Sequence, residues 1–204
     1  MKVTLDNFFK MQVSVLEKLQ ILDLSNNDIG GNFQRYGGDK FFYPLCVQLL
    51  SCRNLQRLDL SDNNLHFLGA SRVYGLLDFV LNRGKNLQLN LSNNKLFTVD
   101  DDGAMITAIC NVIERCLYIK VLDLSSNGTF DIKHIQLLLS ALQKHAGLRF
   151  NFENCGVDRN LFFKAAKLLQ QSSTINPLSK EYKPAVFASE VTPSNGCLAP
   201  KIMS

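Results

Sequence analysis

Three stretches of the chain spell almost the same phrase: "LQILDLSNN" at residues 19–27, "LQRLDLSDN" at 55–63 and "LQLNLSNN" at 87–94. A fourth copy, "IKVLDLSSN", occupies 119–127, and a degraded fifth, "LRFNFENC", occupies 148–155. This constrains the fold more than any other feature. One such unit cannot bury its apolar face alone, so the copies must stack on one another. In each copy the two apolar residues of the L-x-L pair alternate with period two, which puts both on the core face of a short strand. The pairs are Leu22/Leu24, Leu58/Leu60, Leu89/Leu91, Leu122/Leu124 and Phe150/Phe152. The asparagine that follows ends the strand, and its amide can serve backbone groups that the turn leaves unpaired. Stacking predicts a ladder of Asn27, Asn63, Asn94 and Asn127, with Cys155 in the fifth place.

Successive ladder positions lie 36, 31, 33 and 28 residues apart. Those intervals leave room for a helix on each return path. Apolar residues at helical spacing, such as Ile106, Ile109, Cys110 and Ile113, supply one. The spacing predicts helices at about 39–52, 70–82, 102–116, 131–145 and 158–171, with another at 5–19 entering the first strand. Asp39, Ser71, Asp102, Asp131 and Asp158 are the expected caps or first-turn acids. Strand and helix alternating in this way predict an α/β solenoid of about five repeats, with parallel strands on the concave face and helices on the convex face.

The phrase L-x-x-L-x-L-x-x-N-x-L resembles the leucine-rich repeat, and the helical returns resemble its ribonuclease-inhibitor-like subfamily. The resemblance covers about residues 5–171 and implies a horseshoe that binds protein partners. Cysteine at the asparagine position is an accepted variant of that pattern. The third copy departs from it, with Leu87 one place closer to the L-x-L pair than expected. The domain reading is a repeat domain over 1–171 and a tail or cap over 172–204. Four of the five prolines fall in that last segment. Its stretch "AVFASEV" could pack over the last repeat as a cap, and a linear recognition or export signal is the other reading of the segment.

Composition narrows the partner class. The net charge of +4 comes from 22 basic and 18 acidic residues with no basic block, which argues against nucleic acid. No apolar run reaches the length of a membrane span, and Asp6, Lys10 and Glu17 interrupt any secretory core near the start. The six cysteines are therefore read as reduced thiols in a cytoplasmic setting, and the sequons at Asn90 and Asn127 as chance matches. His66, His134 and His145 share no ligand spacing, "DDDG" at 100–103 lacks the spaced acids of a calcium loop, and no nucleophile–base pattern is legible. No metal, cofactor or catalytic residue is expected.

Candidate binding residues follow from strand geometry. The residues between the buried leucines face the concave side. The first concave column is Ile21, Arg57, Gln88, Val121 and Arg149, and the second is Asp23, Asp59, Asn90, Asp123 and Asn151, with Glu153 beyond. The second column reads as a polar, weakly acidic stripe suited to a basic or hydrogen-bonding partner. It also reads as common repeat filler kept for solubility. The first column and Glu153 depart from the repeat consensus, and arginines favour interface hot spots. The longest connection, "DIGGNFQRYGGDKFFYP" at 28–44, holds Phe33, Arg35 and Tyr36 and is read as a flexible contact loop, with a tolerated insertion as the other reading. Its "GGDKFF" lacks the order of a phosphate-binding loop.

The resulting expectation is a monomeric, non-catalytic module that binds a protein on its concave sheet and first loop. The chain also looks like the leucine-rich-repeat effectors that intracellular bacterial pathogens translocate into host cells, and a eukaryotic cytosolic adaptor fits the same features. The rival class is a small-GTPase activator, as some members of the subfamily are, using a loop arginine, here Arg35.

Overall fold

The fold is taken from a computed structural model, which describes residues 1–81, 86–97, 103–116, 118–143, 148–157, 160, 161, 163 and 164. Most of the fifth return segment and all of 172–204 lie outside the described residues, as do Asp102, His145 and Asp158. Two short helices, α1 (Leu5–Phe9) and α2 (Val13–Leu16), lead into strand β1 (Ile21–Asp23). Then follow α3 (Ile29–Arg35), α4 (Asp39–Ser51), β2 (Arg57–Asp59), a 3-10 turn (Leu65–Leu68), α5 (Ala70–Leu81) and β3 (Leu87–Asn90). The described regular elements end with α6 (Ala104–Arg115), β4 (Ile119–Asp123), α7 (Ile132–Gln143) and β5 (Arg149–Asn151).

The strands form one parallel sheet in sequence order, with Leu22, Leu58, Leu89, Leu122 and Phe150 in one register row. The L-x-L leucines are buried, and so are Ile106, Ile109 and Ile113 of α6. The core thus lies between the sheet and the helical layer, as the two periodicities require.

The asparagine ladder carries the turns. Each Oδ1 accepts a backbone N–H from the preceding repeat: Asn27 N–H donates to Asn63 at 2.9 Å, Asn63 N–H to Asn94 at 2.9 Å and Asn94 N–H to Asn127 at 2.8 Å. Each buried amide nitrogen then donates to carbonyls, Asn94 to those of Leu60, Leu91 and Ser92. At the first rung the N-terminal segment supplies the partners: Leu5 N–H donates to Asn27 Oδ1, and Asn27 Nδ2 donates to Val3 O. That segment also pairs with the outer edge of β1, through Val3 N–H to Asp23 O and Asp23 N–H to Met1 O. At the fifth rung Cys155 Sγ lies 3.3 Å from Leu124 O. Among the described residues no buried side-chain nitrogen or oxygen lacks a partner.

Several expected elements differ. The entering helix is two pieces, not one over 5–19. In a straight helix position 12 would share the face of Leu5 and Phe8; Gln12 is polar, exposed and extended. The chain breaks before it, and Gln48 of α4 caps the break by donating to Phe8 O and Phe9 O. Ser71 lies inside α5 and does not cap it, because the preceding 3-10 turn and Gly69 start that helix. Asp131 does cap: its carboxylate accepts the His134 N–H at 2.8 Å. The connection at 28–44 is not a loop. It holds α3 and the start of α4, and its first glycine is there for contact, since a Cβ on buried Gly30 would fall 1.9 Å from Asn64 O. Gly37 and Gly38, both at positive φ, make the turn between the two helices.

The short third copy leaves a mark. Leu87 pairs with Ile119 and Gln88 with Val121, so Lys120 has no opposite residue and the register shifts there. This is the two-against-one geometry of a bulge.

Candidate functional site

The second concave column is committed to the frame. Asp23 Oδ1 accepts the Ser25 N–H at 3.0 Å, and Asp59, Asn90, Asp123 and Asn151 accept the N–H two residues on in the same way. Asp59 and Asp123 also accept the hydroxyls of Ser61 and Ser125 at 2.7 Å. Their remaining oxygens are taken from the next strand: Asn90 donates to Asp59 Oδ2 at 3.1 Å and Asn151 to Asp123 Oδ2 at 3.2 Å. Asp23 titrates below its usual value. Its partial burial opposes this, but the Ser25 bonds, Lys2 and the N-terminal ammonium outweigh it. The stripe is polar as expected, but its acceptors are largely occupied by its own backbone.

The first column is different. Ile21, Arg57, Gln88 and Arg149 are exposed and Val121 is half-buried, all in one register row. Among the described residues no carboxylate lies within ion-pair distance of Arg57 or Arg149, nor of exposed Lys120 beside them. Lys120 was missed in the sequence reading. The signal was present, since the residue absent from the third copy is the one that leaves Lys120 unopposed.

The three residues of the first connection separate. Arg35, in the last turn of α3, pairs with Asp28 at 3.0 Å, so it is no loose loop arginine. Asp28 titrates low because Asn64 hydrogen-bonds it, with Arg35 adding to the effect against partial burial. Phe33 is half-buried, edge-on to Phe42, with the Arg72 guanidinium 4.8 Å above its ring. Arg72 also pairs with Asp39 at 3.0 Å, which staples α3 and α4 to α5. Tyr36 is exposed and lines a groove of roughly 480 Å3 with Phe9, Phe41, Pro44 and Val47. That groove depends on α1 packing against α4, which no local pattern encodes.

The remaining chemistry-bearing groups are placed structurally. Cys46, Cys52, Cys110, Cys116 and Cys155 are buried. Burial pushes Cys46 and Cys52 up to about 11 and Cys110 to about 12. Among the described residues no cluster of three or more His, Cys, Asp or Glu is arranged to hold a metal ion. No described helix is long and apolar enough to cross a membrane.

Comparison with known proteins agrees with this geometry. No curated protein matches the chain. The sequence model of the family described as Leucine Rich repeat matches residues 15–32 and 51–71, the first two copies of the phrase. With five registered parallel strands, a helix on the return paths and an unbroken asparagine ladder, these two copies are leucine-rich repeats and the chain folds as an α/β repeat solenoid.

Proposed function

We propose that the chain is a non-catalytic module that grips a protein partner on its concave sheet. One observation carries this reading. The column Ile21, Arg57, Gln88, Val121 and Arg149 is off-consensus, and among the described residues its side chains enter no hydrogen bond or ion pair, while the column beside it is consumed in holding the frame. A preformed sheet presents such a column with little backbone ordering cost on binding. Exposed Tyr36 and the groove beside it offer a second contact on the convex side of the first repeat.

The test is a pull-down read by mass spectrometry with the wild-type chain and an Arg57→Glu/Arg149→Glu chain. The partner is expected to be recovered by the first and lost by the second, both folded by circular dichroism. Equal recovery moves the site off the concave face.

Helices on the return paths support the ribonuclease-inhibitor-like subfamily, and cysteines buried as core residues suit a reducing, cytoplasmic compartment. A translocated bacterial effector or a cytosolic adaptor fits such a module. The activator reading ranks below, since Arg35 would have to leave Asp28 to act in a partner's site. GTP hydrolysis by a small-GTPase panel, with wild type and Arg35→Ala, separates the two: stimulation lost in the variant would reverse the ranking.

A further inference from the structure

We infer that the partner presents an extended acidic segment that runs across the strands, with two carboxylates four residues apart on Arg57 and Arg149. This rests on the concave-face reading above and adds the chemistry of what is bound there.

Arg57 on β2 and Arg149 on β5 are three strand steps apart. At ~4.8 Å per step that is about 14 Å. An extended peptide advances ~3.4 Å per residue, so about four residues span the gap. Side chains four apart in an extended chain point the same way, so both acids can face the sheet. The residue midway between them faces it too and falls over Gln88 and half-buried Val121, which suits an apolar side chain. Two places before the first acid the peptide reaches exposed Ile21 on β1, which suits another. The complementary pattern is apolar-x-acid-x-apolar-x-acid.

The sign of the charge follows from which groups still have bonding capacity. Asp59 and Asp123 have their oxygens engaged by serine and asparagine donors. Arg57, Lys120 and Arg149 have no carboxylate among the described residues. A guanidinium offers a planar fork of donors that matches a carboxylate. The neighbouring Asp23, Asp59, Asp123 and Glu153 would repel a continuous polyphosphate but are avoided by two acids seated on the arginine column.

The experiment is a selection from a displayed library of random linear peptides against the folded chain, counter-selected on the Arg57→Glu/Arg149→Glu chain. Enrichment of acids four apart flanking an apolar residue is expected. Synthetic Leu-Ser-Glu-Ser-Leu-Ser-Glu should then bind about ten-fold or more tightly than an isomer with its glutamates three apart, measured by fluorescence anisotropy. Charge reversal at both arginines should remove that difference. An enriched pool without the acid pair, no enrichment over the reversed chain, equal binding of the isomers, or tighter binding of a polyuridine probe overturns the inference. If the peptides fail while the double variant still loses its partner in the pull-down, the concave face stands and the acidic-segment chemistry falls.

Discussion

Asn63 lends its side chain to two backbone groups at once: its Oδ1 accepts Asn27 N–H at 2.9 Å, and its Nδ2 donates to Leu24 O at 2.8 Å. One amide thus closes both a donor and an acceptor of the preceding repeat. Asn94 does the same one repeat on, accepting Asn63 N–H and donating to Leu60 O.

Replacing Asn94 by Ala strands several buried groups together, and each buried unsatisfied group costs ~1–3 kcal/mol. The Asn94→Ala chain should lose about 3 kcal/mol or more in urea unfolding. Asn27→Ala, at the partly exposed first rung, should lose less. Equal losses would mean that the rungs do not act by burial.

Two glycines should respond with opposite signs. Gly30→Ala drives a methyl into Asn64 O and should cost about 1–3 kcal/mol. Gly75, inside α5, has open space around its Cβ position. Gly75→Ala should stabilise by roughly 0.5–1 kcal/mol through helix propensity. Thermal melts of the two variants report both.

The thiols should be silent until the chain opens. In a Cys197→Ser chain the five remaining cysteines are buried, three of them with titration raised to about 11 or 12. A chromogenic disulfide reagent at neutral pH should show no fast reaction in the native chain and react fully in denaturant, because the thiolate is the reactive form. A fast native reaction would place one of them in solvent.

Acid should release the Asp28 contribution. Its folded titration lies below the ordinary value of 3.8, chiefly through the Asn64 hydrogen bond and also through Arg35. A depressed carboxylate contributes stability above its unfolded value and loses it as pH falls through the folded one. Asp28→Asn should therefore be less stable than wild type at neutral pH. The two should converge below the folded titration in urea melts taken at successive pH values.

Arg57→Ala and Arg149→Ala should leave stability within about 0.5 kcal/mol of wild type, as exposed positions without partners do. A larger loss would give the column a structural duty and weaken its claim as a binding surface.

The frame was readable because it obeys two local periods. Leu22 and Leu24 had to share a face, and Asn27 had to end the strand. The same spacing at 55–63, 87–94 and 119–127 set the sheet order. What escaped depends on contacts between distant segments. The break before Gln12 is capped by Gln48, and Phe33 is held by Arg72 of the next repeat. A glycine-rich stretch reads as flexible unless Asn64 is known to press on it. On the concave face the columns were correctly set side by side. Only the hydrogen bonds showed that Asp59 and Asp123 serve Ser61, Ser125 and the neighbouring asparagines, which shifts attention to the arginines.

The ladder is also directional: each asparagine hands its backbone N–H toward the next rung. At the entry end the sequence closes on a full oxygen acceptor, Asn27 taking Leu5 N–H. At the far end Asn127 N–H points to the sulfur of Cys155. Sulfur is the weaker acceptor. A stack linked only between neighbours opens from its poorest joint. Among the described residues the ladder is therefore a zipper whose weakest joint is the one at Cys155, where opening is expected to start.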